Sequence, residues 1–180
     1  LSKMGANISG SKEGTLPLRI TPSKKINGIN YKMPVASAQV KSAILFASLG
    51  ARGDTKIIEK SISRDHTERM FEYFGANISF SETETTLKET DKFTSQNIEI
   101  PGDFSSSAFF IVAALISKNS DITLKEVGMN PSRTALLNKL MEMGGNIQVF
   151  NHSSFGKEPI ADLNIKSSVL NPCEVTPGDV

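Results

Sequence analysis

The sequence has one cysteine, Cys173, and two histidines, His66 and His152. A single thiol cannot close an intrachain disulfide, and these three residues cannot supply the Cys/His spacing of a zinc site. A reducing compartment, and with it a cytoplasmic setting, is the simpler expectation. Neither sign of charge is in excess, because 20 Lys and Arg stand against 19 Asp and Glu for a net charge of +1. That balance speaks against a polybasic nucleic-acid arm and against an acidic solvating tail. The longest uncharged apolar stretch runs from Phe104 to Ser117, well short of the roughly 20 residues a membrane-spanning helix needs. It reads as a buried core helix. No Walker loop, GxGxxG turn, GxSxG elbow or metal cluster occurs, and nothing nominates a nucleophile. No initiator Met or signal-peptide pattern opens the chain, which begins at Leu1 in what reads as a helix end and stops at Val180 without a closing element. An internal piece of a longer protein is expected.

What is present is an ordinary globular composition, 38% hydrophobic and 22% charged over 180 residues, enough for one large domain or two small ones. The strongest pattern is an internal repeat. SRDHTERMFEYFGANI, from Ser63 to Ile78, lies over SRTALLNKLMEMGGNI, from Ser132 to Ile147, at an offset of 69 residues. The same offset lays SAQVKSAILFA, from Ser37, over SSAFFIVAALI, from Ser106, and KMGANI near the start repeats the end of the unit once more. So long a period suits a duplicated α/β unit rather than a solenoid of helical pairs.

The first unit predicts a helix over about Ser37 to Leu49, ended near Gly50, a strand over Thr55 to Glu59, and a helix over about Asp65 to Phe74. Asp65 and Glu68 form a plausible capping box there, and Gly75 is the stop. Strands are expected around Asn77 to Phe80, Thr85 to Leu87 and Asn97 to Ile100, with Thr83 to Gln96 a polar hairpin or loop. The second unit predicts helices near Ser106 to Ser117 and Arg133 to Met143, with strands at Ile122 to Leu124 and Asn146 to Phe150. This order is an α/β repeat. The first helix of each unit is apolar on most faces, so it should lie inside with sheet around it, an inversion of the usual doubly wound arrangement. Pro101-Gly102 interrupts a strand and is the expected domain joint.

Candidate chemistry gathers at helix starts. A first turn leaves backbone N–H groups free and carries partial positive charge, so it receives phosphates and carboxylates. Ser37, Ala38 and Gln39 add a hydroxyl and an amide there, although Ser37 alone would also serve as a plain N-cap. Ser63 and Arg64 place a hydroxyl and a guanidinium before the next helix, a pair suited to an oxyanion or simply to a cap and a solvated charge. Arg133 occupies the matching place in the second unit, so one of the two arginines can be structural. His66 reads as a polar first-turn residue rather than an acid or base. Lys41, the one charge on its helix, is expected to snorkel to water. Ser105, Ser106 and Ser107 read as caps and small packing residues, and Asp103 as a turn or cap residue.

Taken together, MPVASAQVKSAILFASL, SRDHTERMFEYFGANI, IPGDFSSSAFFIVAALI and NPSRTALLNKLMEMGGNI resemble the 5-enolpyruvylshikimate-3-phosphate synthases, in order and nearly without gaps from Leu1 to Val180. The resemblance implies an inverse α/β barrel of repeated βαβαββ units, helices inside and sheets outside, three units to each of two domains and incomplete here at both ends. It implies a transferase that moves the enolpyruvyl group of phosphoenolpyruvate to the 5-hydroxyl of shikimate 3-phosphate and releases phosphate, without metal or organic cofactor. Ser37, Ala38, Gln39, Ser63 and Arg64 match substrate-binding positions of that family, Gln39 also approaching phosphoenolpyruvate; Ala38 stands where some members have Ser. Residues 1–101 would finish the shikimate-phosphate domain and residues 102–180 begin the second. The family's N-terminal Lys-Ser-Arg cluster and its acid/base Asp and Glu would lie outside this segment, so no catalytic residue is assigned, Asp179 included. The segment alone is expected to be inactive and its parent a monomeric enzyme with small-molecule substrates, without nucleic-acid or membrane partners. A transferase acting on a UDP-amino sugar, whose family carries a reactive Cys in a mobile loop unlike the setting of Cys173, and a non-catalytic anion-binding α/β module remain as alternatives.

Overall fold

The computed structural model describes residues 1–11, 13–89 and 93–176. They fall into two compact units, Leu1–Gln96 and Asn97–Val180. The first opens with a single 3-10 turn, Ser2–Met4, and an antiparallel pair, β1 (Asn7–Ser9) and β2 (Arg19–Thr21). Then come β3 (Asn30–Lys32), α1 (Ala38–Ser48), β4 (Thr55–Ile58), α2 (His66–Tyr73), β5 (Ile78–Phe80) and β6 (Glu84–Leu87). Their sheet runs β3-β4-β6-β5, with β3 parallel to β4 and the other pairs antiparallel. A crossover helix therefore joins the parallel pair, and a hairpin closes the unit, as a βαβαββ order requires.

The second unit contains α3 (Phe104–Ile116), β7 (Asp121–Gly128), α4 (Ala135–Glu142), β8 (Asn146–Phe155) and β9 (Glu158–Lys166), in an antiparallel sheet ordered β7-β9-β8. Its opening strand is reduced to a parallel bridge between Gly102 and Val127. The helix pair α2 and α4 stands at the repeat offset, His66 to Ala135 and Tyr73 to Glu142. The β9 strand was not foreshadowed by the sequence, because its polar residues alternate with a buried face of Ala161, Leu163 and Ile165 only from the middle of the strand onward. No strand forms at residues 97–100, where Ile98 and Ile100 are exposed and have no neighbouring strand to pair with. The strand expected at Thr85 to Leu87 forms as β6 at the start of the polar stretch. Residues 90–92 of that stretch, and Asp179 with the rest of 177–180, lie outside the described residues.

Each unit has its own core. Leu45, Ile57, Phe71 and Leu87 meet in the first, with the Phe71 ring edge-on to Phe46 at 5.1 Å. Ile111, Leu115, Leu140, Leu163 and Ile165 meet in the second. Burying a side chain such as Phe71 contributes about 1.5–3 kcal/mol. The central helices are covered by their own sheets on one side only. Val40 and Phe46 of α1 remain 45% and 51% exposed, and Phe109, Phe110 and Ile116 of α3 still more so. The apolar faces that suggested full burial therefore find no cover within their own units. No helix among the described residues is long and apolar enough to cross a membrane.

Candidate functional site

The first turn of α1 is set by Ser37, whose extended backbone lets it cap the helix. Its hydroxyl oxygen accepts a 3.4 Å hydrogen bond from the Val40 N–H and lies 3.4 Å from the Gln39 side-chain carbonyl. Both contacts are long, so the hydroxyl is only loosely engaged. Ala38 is half-buried and Gln39 exposed. Helix geometry leaves the N–H groups of this turn without intrahelical acceptors, and no acidic residue occupies it. It is an open cluster of donors at the positive end of a helix.

The turn before α2 carries Ser63 and Arg64, both half-buried. The Ser63 hydroxyl donates to Glu59 Oε1 at 2.6 Å. A serine has one hydroxyl proton, so this one is committed to Glu59. Arg64 makes no hydrogen bond or ion pair among the described residues. The expected Asp65–Glu68 capping box does not form. Asp65 sits at the N-cap without a side-chain cap bond and accepts instead from Arg69 Nε at 2.9 Å. His66 is the first residue of α2 and exposed.

Glu68 is drawn inward by Lys41, which does not snorkel. Lys41 is 2% exposed, and its ammonium lies 2.7 Å from Glu59 Oε2 and 2.7 Å from Glu68 Oε1. Burial works to lower the Lys41 pKa, but the hydrogen bonds and charges of the two glutamates outweigh it and hold the pKa above the ordinary value. Snorkelling fails because residue 41 shares the inward face of α1 with Ile44, Leu45 and Ser48, toward β4 and α2, where two carboxylates wait. The triad carries one positive and two negative charges. A signal for it was present in the pattern. Glu59 continues the period-two inward face of Thr55 and Ile57, and Glu68 lies three residues before the buried Phe71. Through Lys41, Glu59 and Ser63, the helix that bears Ser37, Ala38 and Gln39 is joined to the turn that bears Ser63 and Arg64. A second link is the 2.7 Å contact between the Ser42 and Thr67 hydroxyls.

The second unit shows the same residue types in a closed arrangement. Asp103 caps α3, accepting from both the N–H and the hydroxyl of Ser106 at 2.8 Å. Arg133 Nη2 donates to the Ser105 hydroxyl and reaches Asp103 Oδ1 at 3.5 Å. The hydrogen bonds from the Ser106 side chain and backbone, with smaller help from Ser105 and Arg133, hold the Asp103 carboxyl below its ordinary pKa. A carboxylate of the chain itself thus fills a helix N-terminus lined by serine and arginine. At the repeat offset the first unit has Pro34 in place of Asp103, and its Arg64 is unengaged.

A cleft of about 390 Å³ beside α1 is lined by apolar side chains such as Met4, Ile29, Val40 and Ile44, with Tyr31 and Lys3 at its side. None of the candidate donors lines it. No cluster of metal-ligating residues occurs among the described residues.

The family model described as EPSP synthase (3-phosphoshikimate 1-carboxyvinyltransferase) matches residues 1–175. The chain belongs to the EPSP synthase family. It is 48% identical over 177 residues to the 3-phosphoshikimate 1-carboxyvinyltransferase of Petrotoga mobilis, covering 97% of this chain and 41% of that protein. The protein of the same name from Leuconostoc citreum is 46% identical over 180 residues, covering 100% and 42%. An EPSP synthase structure from Acinetobacter baumannii superimposes with a TM-score of 0.91 at 41% identity, over 99% of this chain and 41% of that one. The α/β fold expected from the resemblance is the fold of this family member. The chain spans about two fifths of the length of the relatives it matches.

Proposed function

We propose that the protein containing this chain transfers the enolpyruvyl group of phosphoenolpyruvate to the 5-hydroxyl of shikimate 3-phosphate, releasing phosphate, and that this segment holds the phosphorylated acceptor. Ser37, Ala38 and Gln39 supply the helix-start donors, Gln39 also serving phosphoenolpyruvate. Arg64 supplies the guanidinium, and Ser63 its backbone N–H, because its hydroxyl proton is directed to Glu59. Residues 1–101 belong to the acceptor-binding domain and residues 102–180 open the second. Further repeats of the same kind cover the apolar faces of α1 and α3. The enzyme is a cytoplasmic monomer without cofactor, nucleic-acid or membrane partners.

One observation carries the site assignment. The second unit neutralises its serine- and arginine-lined helix start with Asp103, whereas the first has no acid in that turn and an unengaged arginine. An unfilled set of donors at a positive helix end is suited to an external anion. The test is calorimetric titration of shikimate 3-phosphate into the full-length protein and its Arg64→Ala and Gln39→Ala variants. Affinity should fall on the order of tenfold or more in each, since a charge-assisted hydrogen bond contributes about 1.5–3 kcal/mol. Unchanged affinity in both variants would remove the assignment.

A further inference from the structure

We infer that Lys41 is a positioning residue, whose ammonium, shared between Glu59 and Glu68, holds the first turn of α1 and the Ser63–Arg64 turn in one fixed register. The inference rests on the site assignment above and deepens it.

The chain of contacts is continuous. The Lys41 N–H donates to the Ser37 carbonyl at 2.9 Å, so the lysine sits one turn inside the helix start. Its Nζ is 2.7 Å from Glu59 Oε2, and Glu59 Oε1 accepts the Ser63 hydroxyl at 2.6 Å. On its other side Nζ is 2.7 Å from Glu68 Oε1, which anchors α2, the helix that Arg64 precedes. The two ammonium contacts are short and buried and the Ser63 bond is short and part-buried, so a small shift of either element relative to the other breaks one of them.

Two observations separate this role from plain stabilisation. The triad is not composed as a stability device would be, because it buries one cation with two carboxylates and leaves Glu68 Oε2 without a partner. The duplicated unit also does without it. At the repeat offset Lys41, Glu59 and Glu68 correspond to Phe110, Gly128 and Leu137, all uncharged, and Leu137 is 2% exposed in the second core. Phe110 is itself 61% exposed, so only Leu137 fills the corresponding core position, and the second unit folds without these charges. The charges accompany the unit whose serine and arginine are left open, and are missing where Asp103 already fills the corresponding place.

The experiment compares shikimate 3-phosphate affinity in the full-length protein for four forms: wild type, the neutral triple variant Lys41→Met/Glu59→Gln/Glu68→Gln, Arg64→Ala, and the triple variant combined with Arg64→Ala. Shape is nearly kept and no buried charge is left unpaired, so the triple variant should melt within a few degrees of wild type. Its dissociation constant should rise about tenfold, and this penalty should largely vanish in the Arg64→Ala background, where the guanidinium to be positioned is gone. Equal penalties in both backgrounds would mark general loosening and overturn the inference. So would unchanged affinity in a folded triple variant. Should Arg64→Ala weaken binding while the triple variant does not, the positioning role falls and the site stands; should Arg64→Ala have no effect, both fall. If the triple variant does not fold, Glu59→Gln, which keeps shape and leaves Lys41 paired with Glu68, takes its place. It should raise the dissociation constant severalfold, and no change would again overturn the role.

Discussion

The Lys41 ammonium and the Glu68 carboxylate, with side chains 3% and 1% exposed, meet at 2.7 Å while the other Glu68 oxygen stays unpartnered. The two groups are therefore unequal in what they hold. Lys41 compensates two carboxylates, whereas Glu68 brings charge beyond what Lys41 can neutralise.

The asymmetry sets the first prediction. Lys41→Met leaves two buried carboxylates without a cation and should cost about 3–5 kcal/mol of stability, the range for breaking a buried ion pair from one side. Glu68→Gln keeps a carbonyl acceptor for Lys41 and Thr85 and removes the excess charge, so it should cost less than about 1 kcal/mol. Denaturant titration of the full-length protein followed by circular dichroism checks both. Similar losses in the two variants would contradict the charge inequality.

The pH dependence follows from the signs. The folded-state pKa of Lys41 is raised above 10.5, so its contribution is complete below about pH 10.5 and is lost as pH rises through the raised value. Asp103 is lowered from 3.8, so its contribution is present above that value and is lost as pH falls through the lowered one. Neither group changes charge between about pH 5 and 9. In melting profiles against pH, Asp103→Asn should flatten the acid limb and leave the alkaline limb as it is, whereas the neutral Lys41 triple variant should flatten the alkaline limb.

The sequence displayed the repeat, four helices and the strands β4 to β8 because those depend on local rules: apolar period, helix-stopping glycines and β-branched runs. Gly75 and Gly144, at φ 81° and 89°, follow α2 and α4 as the stop signals required. Long-range choices were hidden. Whether Asp65 and Glu68 formed a capping box or Glu68 turned inward depended on Lys41, 27 residues earlier. Whether residues 97–100 became a strand depended on a partner strand. The candidate donors could be named from types and places, but the contrast between engaged Arg133 and unengaged Arg64 required coordinates.

Asp162 of the central strand β9 is a second long-range choice. One carboxylate oxygen accepts from the Glu126 N–H at 2.8 Å and the other from Asn151 Nδ2 at 2.9 Å. Glu126 and Asn151 have positive φ, 53° and 50°, and each lies where the register of its edge strand slips. A single side chain thus holds both bulges of the sheet. Asp162→Ala should lower the melting temperature and speed amide exchange at both bulges together. Exchange changed at one bulge only would show that they are held independently.

The paired arginines give the last prediction, because duplication has left one residue type in two electrostatic settings. Arg133, with its side chain 21% exposed, already has the Asp103 carboxylate and the Ser105 hydroxyl as acceptors. Arg133→Ala should therefore appear as lost stability, about 1 kcal/mol for a partly solvated pair at a helix cap. Arg64 has no such acceptor among the described residues, so Arg64→Ala should leave the melting temperature of the ligand-free protein nearly unchanged. Its effect should appear only on adding shikimate 3-phosphate, as a smaller ligand-induced rise than in wild type. A thermal-shift series on the two variants, with and without ligand, reads both effects. Were Arg64→Ala to destabilise the free protein as much as Arg133→Ala does, its guanidinium would be satisfied within the fold and could not be waiting for an anion.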